Sequence, residues 1–149
     1  MKTKLKIYNS NVLAVLTYGS EIWKTNKTIQ RKLKSFQTKC LRRILLIKWN
    51  EFVTNIEVLE RAGIEDINTT IKRRRWRYLG HVLRMPKTRL PYQTWYWKPT
   101  GKRKRGRPTG SYRGTIRDEA ITQGLDLTKL EDVARDRQAW RRLLSALCT

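Results

Sequence analysis

Acidic residues are what this sequence has least of. Asp and Glu number 12 against 34 Lys and Arg, a formal net charge of +22, and no segment confines the excess to a tail. An imbalance of that size repels itself in a compact chain, and it suits a polyanionic partner better than an acidic protein. Histidine is close to absent: His81 is the only one, and the two cysteines, Cys40 and Cys148, stand far apart outside any C-x-x-C pair. A zinc site needs about four clustered ligands, so no metal site is expected, and the default reading is a reducing compartment without a disulfide framework. No apolar run approaches the roughly 20 residues that cross a bilayer, which argues against a membrane partner. The first apolar stretch, residues 5–16, is broken by Lys6, Asn9, Ser10 and Asn11 and reads as an amphipathic helix, not a signal peptide. Period-two alternation of β-branched residues and fixed-period repeats are both missing, which leaves an all-α fold.

At 149 residues with 39% hydrophobic side chains, the chain has room for one modest core or two small helical lobes. Leu5, Tyr8, Val12, Val15 and Leu16 recur at helical spacing. Ile29, Leu33, Phe36, Cys40, Ile44 and Ile47 repeat the pattern, with Arg31, Lys32, Lys34, Lys39, Arg42 and Arg43 opposite and Asn26 placed to cap the helix. Thr54 and Glu57 have capping-box spacing, and Gly63 stands where that short helix would stop. Ile67, Ile71, Tyr78, Leu79, Val82 and Met85 mark a longer helix that ends before Pro86. Its middle is nearly all cationic, so one arginine must pack its stem on the apolar face and extend its head outward.

The 4 prolines all fall within residues 86–108, where Tyr92, Trp95, Tyr96 and Trp97 form an aromatic cluster. Residues 86–110 read as an irregular hinge with one short extended or helical piece. Helix resumes after Ser111 on Tyr112, Ile116 and Ala120 and stops at Gly124. Thr128 and Glu131 again have capping-box spacing, before a final helix carrying Leu130, Val133, Ala134, Trp140, Leu143, Leu144 and Leu147. The expected architecture is two small helical lobes joined by a Pro-containing basic loop, divided as 1–85, 86–110 and 111–149.

Catalytic chemistry has little to stand on. Glu65-Asp66, Asp118-Glu119 and Glu131-Asp132 are adjacent pairs, and neighbours on a helix point roughly 100° apart, so they do not converge on a metal. The first and third pairs also fall in expected first turns and read as helix-start charges that complement the macrodipole. His81 is expected to be a partly buried structural residue, and Cys40, on an apolar face with no histidine beside it, reads as core.

Binding features are stronger. Arg73, Arg74, Arg75 and Arg77 interleave with Trp76, so cations can neutralise phosphates while a ring stacks on unpaired bases; the plainer alternative is that Trp76 packs inward. Lys102, Arg103, Lys104, Arg105 and Arg107, with Gly106 and Pro108, make an acid-free strip that cannot bury itself. Its Arg-Gly-Arg-Pro core resembles an AT-hook, which lies in the A·T minor groove, and it also passes as a nuclear localisation patch. A solvated loop contacting phosphates is the simpler reading.

Several blocks occur in a familiar order. They are Leu16-Thr17-Tyr18-Gly19-Ser20-Glu21-Ile22-Trp23, then Phe36-Gln37-Thr38-Lys39-Cys40-Leu41-Arg42-Arg43-Ile44-Leu45. Next come Arg74-Arg75-Trp76-Arg77-Tyr78-Leu79-Gly80-His81-Val82-Leu83-Arg84-Met85, Arg105-Gly106-Arg107-Pro108, and Ala134-Arg135-Asp136-Arg137-Gln138-Ala139-Trp140-Arg141. Together they resemble the C-terminal, thumb and post-thumb region of LINE-type (non-LTR) retrotransposon endonuclease–reverse transcriptases, across nearly the whole chain. The resemblance departs at Ser20, where that family commonly has Cys, and at Tyr112, commonly Trp.

The resemblance implies a non-catalytic helical tail that grips the template–primer duplex. Lys39, Arg42 and Arg43 would track a phosphate backbone, and Arg73 to Arg77, Arg84 and the residue 102–107 strip would extend the grip. The palm's Tyr-x-Asp-Asp turn is missing, since no Asp-Asp pair occurs, and the endonuclease motifs are missing too. The expectation is therefore a truncated reverse transcriptase fragment, not an enzyme as it stands, without cofactor or small-molecule substrate. Its partners would be a DNA, RNA or RNA–DNA hybrid backbone and the palm domain of a related element, in the nucleus in preference to the cytoplasm. The rivals are a stand-alone AT-hook-like DNA-binding module, a retroelement relic without a selected role, and a helical scaffold whose apolar faces need the palm.

Overall fold

The computed structural model describes residues 1–98, 100–101, 105–106 and 110–148. Among them there is no strand, and the fold is all-α. The helices are α1 (Lys2–Ile7), α2 (Ala14–Leu16), α3 (Lys27–Ile44), α4 (Asn55–Ala62), α5 (Ile67–Leu83), α6 (Leu90–Tyr96), α7 (Tyr112–Thr122), α8 (Leu130–Arg135) and α9 (Arg137–Leu147). A π-helical stretch, Tyr8–Leu13, joins α1 to α2.

Two compact units emerge, one of residues 1–20 and 25–72, the other of residues 21–24 and 73–149. The division falls inside α5, between Lys72 and Arg73, and not at residue 85. Its cause is packing: Trp76, Leu79 and Leu83 of α5 share a core with Ile116, Ala120 and Trp140. Periodicity marks the apolar face of a helix but not the element that covers it.

The first unit is built around Tyr8, Leu41, Val53 and Val58, with Leu5, Leu13, Ile44 and Ile64 against them. Asn26 caps α3 by accepting the Ile29 N–H at 2.8 Å. Thr54 and Glu57 form both bonds of the expected capping box, and Gly63 ends α4 at φ 61°. The end of α3 uses the same kind of turn with a less suited residue. The Ile47 N–H donates to the Arg42 carbonyl at 3.0 Å, while Leu46 takes φ 59°, a left-handed conformation that favours glycine.

The buried stripe of α3 differs from the expected one. Gln37, Thr38 and Leu41 are inside, whereas Phe36 is 43% exposed. Gln37 is tolerated there because both ends of its amide are used. Its Nε2 donates to the Glu65 carbonyl at 2.7 Å, and its Oε1 accepts the Ile67 N–H at 2.9 Å. Buried amides cost little when fully bonded, and a hydropathy pattern does not register that compensation. The clamp fixes the turn into α5, helped by Lys34 Nζ at 3.3 Å from the Asp66 carboxylate.

The core of the second unit joins Trp76, Leu79, Leu83, Ile116, Ala120, Leu130, Ala134, Trp140 and Leu147. Full burial of large apolar side chains of this kind stabilises by about 1.5–3 kcal/mol each. The centre of the contact is Gly80, whose missing side chain lets the Trp140 indole lie on the α5 backbone. A Cβ there would stand 2.2 Å from Trp140 Nε1. The indole N–H donates to the Trp76 carbonyl at 3.2 Å, and the two tryptophan rings lie 6.0 Å apart.

Ser111 caps α7 by accepting the Gly114 N–H at 2.9 Å. Two expectations fail beyond it. The last helix is not continuous: Asp136, at ψ 109°, ends α8 and caps α9, accepting the Gln138 N–H at 2.8 Å. Thr128 and Glu131 form no capping box either, since Lys129 is the N-cap residue of α8 and the Glu131 carboxylate faces Tyr92 and Tyr96.

Candidate nucleic-acid interface

The cationic middle of α5 does not act as one face. Arg75, expected to extend outward, is 1% exposed and ion-paired with Glu119. Trp76, expected to stack on bases, is fully buried, and its indole N–H donates to the other Glu119 oxygen at 2.7 Å. Neither residue can meet a nucleic acid. One carboxylate holds both, and burying a guanidinium requires such a partner. Glu119 lies 44 residues from Arg75 in sequence, in one of the adjacent acid pairs that do not converge on a metal.

The other predicted residues divide. In the first unit, Lys39 and Arg43 are exposed, while Arg42 is drawn in and donates to the Val53 carbonyl and Asn55 Oδ1. Arg74 is half-buried and Arg105 is exposed. Lys102, Arg103, Lys104, Arg107 and Pro108 lie outside the described residues, so of the AT-hook-like core only Arg105 and Gly106 are described.

Arg73, Arg77 and Arg84 converge in the second unit, where they meet residues the sequence reading did not select. They line a groove of about 880 Å³ with Arg137 and Arg141 of α9, and its floor includes Trp140 and Leu144. His81, expected to be partly buried, is exposed on the wall of the same groove. The geometry follows from helical spacing: residues 73, 77, 81 and 84 share one stripe of α5, and residues 137, 141 and 145 one stripe of α9. The Gly80–Trp140 contact brings the stripes together. The regular spacing of Arg137 and Arg141 is visible in the sequence; their pairing with α5 is not.

No carboxylate lines this groove among the described residues. Arg84 Nη1 donates to the Ala134 carbonyl at 3.0 Å. Burial, and then the like charge of Arg137, push the Arg84 guanidinium below its ordinary pKa. Like charges held together favour an incoming anion. Glu131 shows the opposite treatment: hydroxyl bonds from Tyr96 and then Tyr92 hold its carboxyl below the usual range. Among the described residues, no group of His, Cys, Asp and Glu could hold a metal ion, and no helix is long and apolar enough to cross a membrane.

No protein-family model matches the chain, and no solved structure does. Among curated proteins, an uncharacterized transposon-derived protein of Caenorhabditis elegans is 28% identical over 147 residues. That match covers 93% of this chain and 53% of the relative, so the chain spans about half the length of the curated relative it matches. The similarity is consistent with a transposon-related origin.

Proposed function

We propose that the chain is the thumb and post-thumb part of a LINE-type endonuclease–reverse transcriptase, and that it grips a nucleic-acid backbone without carrying a polymerase site. The observation that carries the binding half is the groove of the second unit, with five arginines and no carboxylate among its described lining residues. Such a surface suits successive phosphates of a duplex or hybrid. The ordered sequence blocks support the reverse transcriptase half, and the likeness to a transposon-derived protein supports a retroelement origin. The palm of a related element is the protein partner proposed for the first unit, which leaves Tyr18, Trp49 and Phe52 more than four-fifths exposed at 85%, 89% and 87%.

Salt titration tests the grip. The logarithm of the binding constant for a DNA duplex or an RNA–DNA hybrid should fall linearly with log salt, by about 0.9 per phosphate contacted. Arg77→Ala and Arg141→Ala should each weaken binding to all sequences alike and make the slope shallower by about 1. Absence of binding at low salt refutes the proposal, and nucleotide incorporation on a primed template by the purified chain refutes its non-catalytic half.

A further inference from the structure

A second hollow in the same unit, of about 620 Å³, has a different character. Its walls include Tyr78 and Val82 of α5, Trp95 of α6, Trp97 just beyond it and Tyr112 of α7. Two of these rings are fixed. Trp95 meets Tyr112 edge-on with centroids 6.5 Å apart, and the Tyr112 hydroxyl donates to the Glu21 carbonyl at 2.9 Å. Trp97 is not packed in this way: it is 69% exposed and leaves α6 in extended conformation at ψ 137°. The charged side chains on the described lining are all cations, Lys98, Arg113 and Arg117. Arg113 is already stacked, its guanidinium 5.4 Å from the centre of the Trp95 ring, while Lys98 and Arg117 are exposed.

Aromatic walls under a wholly cationic rim suit a ligand that is flat and apolar at one end and anionic at the other. An apolar helix of a protein partner would fill the walls but would have no use for the cations. A nucleotide of an unpaired strand has both halves: its base offers a π-face, and its phosphate offers the charge. Bases inside a duplex are already stacked on one another and cannot enter. We propose that this hollow takes one unpaired nucleobase, stacked on Trp97, with its phosphate held by Lys98 and Arg117. The proposal rests on the nucleic-acid reading above and adds a single-strand site to the duplex-gripping groove.

The test compares a labelled blunt duplex with the same duplex carrying a short single-stranded overhang, each titrated by anisotropy against the full chain. The overhang should raise affinity, and Trp97→Ala should remove about tenfold of the affinity for the overhang substrate while leaving the blunt duplex unchanged. Trp97→Phe should keep most of the preference. A second variant, Lys98→Gln with Arg117→Gln, should reduce the preference with the Trp97 ring intact. Equal affinity for both duplexes, or equal losses on both in Trp97→Ala, overturns the proposal and leaves the hollow to an apolar polypeptide. Binding of neither duplex overturns the nucleic-acid reading as well.

Discussion

Replacing Gly80 by alanine should destabilise the second unit, although alanine is the better helix former. In an α-helix interior the exchange alone is worth about 0.8–1 kcal/mol in favour of alanine. Here the added Cβ would stand 2.2 Å from Trp140 Nε1, 2.5 Å from Cε2 and 2.8 Å from Cδ1. Ordinary contact begins near 3.5 Å, so the indole must retreat by about 1 Å. The ring is rigid and buried, and its N–H bond to the Trp76 carbonyl is already 3.2 Å long. A retreat of that size takes the bond out of range. Overpacking of this kind costs about 1–3 kcal/mol, and a buried donor left unpaired about 1–3 kcal/mol more. After subtracting the helix gain, the net loss is about 1–5 kcal/mol. Urea unfolding followed by far-ultraviolet circular dichroism should show a lower midpoint with an unchanged slope. Shrinking the ring with Trp140→Phe in the Gly80→Ala background should recover part of the loss, giving a non-additive cycle. A neutral or stabilising Gly80→Ala would refute the close-approach reasoning.

Glu119→Ala should cost about 3 kcal/mol or more, because it removes the carboxylate that both pairs with the buried Arg75 guanidinium and accepts the Trp76 indole N–H. The same unfolding assay reads it, and a loss under about 1 kcal/mol would show that Arg75 finds other compensation. Ser20→Cys should stabilise by about 1 kcal/mol, since the Ser20 hydroxyl is fully buried with no hydrogen-bond partner among the described residues. A lower unfolding midpoint would contradict that. Acid should weaken the second unit through Glu131. Its folded pKa is depressed by Tyr96 and Tyr92, so its contribution is full above the ordinary carboxyl value, about 4.3, and is lost as pH falls through the depressed one. Midpoints measured from pH 7 down to pH 3 should fall less steeply in Glu131→Gln, and parallel curves would refute the assignment.

What was legible in the sequence was local. Asn26, Thr54 with Glu57, and Gly63 act on backbone groups within four residues, and the structure places each as its spacing required, while helix resumes after Ser111 as expected. Ile116 and Ala120 are fully buried, as their spacing implied. What escaped was long-range. Glu119 meets Arg75 and Trp76 across 44 and 43 residues, and Glu131 meets Tyr92 and Tyr96 across 39 and 35. In each case the side chain satisfies a distant partner in place of its own helix, which no capping rule anticipates. Gln37 escaped for a related reason: its polarity argued for solvent, while its bonds argued for the interior. The groove was half legible, because Arg73, Arg77 and Arg84 drew notice as cations, whereas Arg137 and Arg141 acquire their role only from the close approach at Gly80.

The way the carboxylates are engaged alters how the molecule meets its solution. Glu119 is turned to a buried arginine, Glu131 to two phenols, and Glu57 and Asp136 to backbone N–H groups at helix starts. In these bonds Glu119 meets a buried cation, whereas the other three carboxylates meet neutral donors of the chain. The field around the molecule is that of the formal +22, concentrated where arginines converge, as in the groove of the second unit. Such a protein carries a dense cloud of small anions, so the choice of buffer anion sets its apparent affinity before any partner is added.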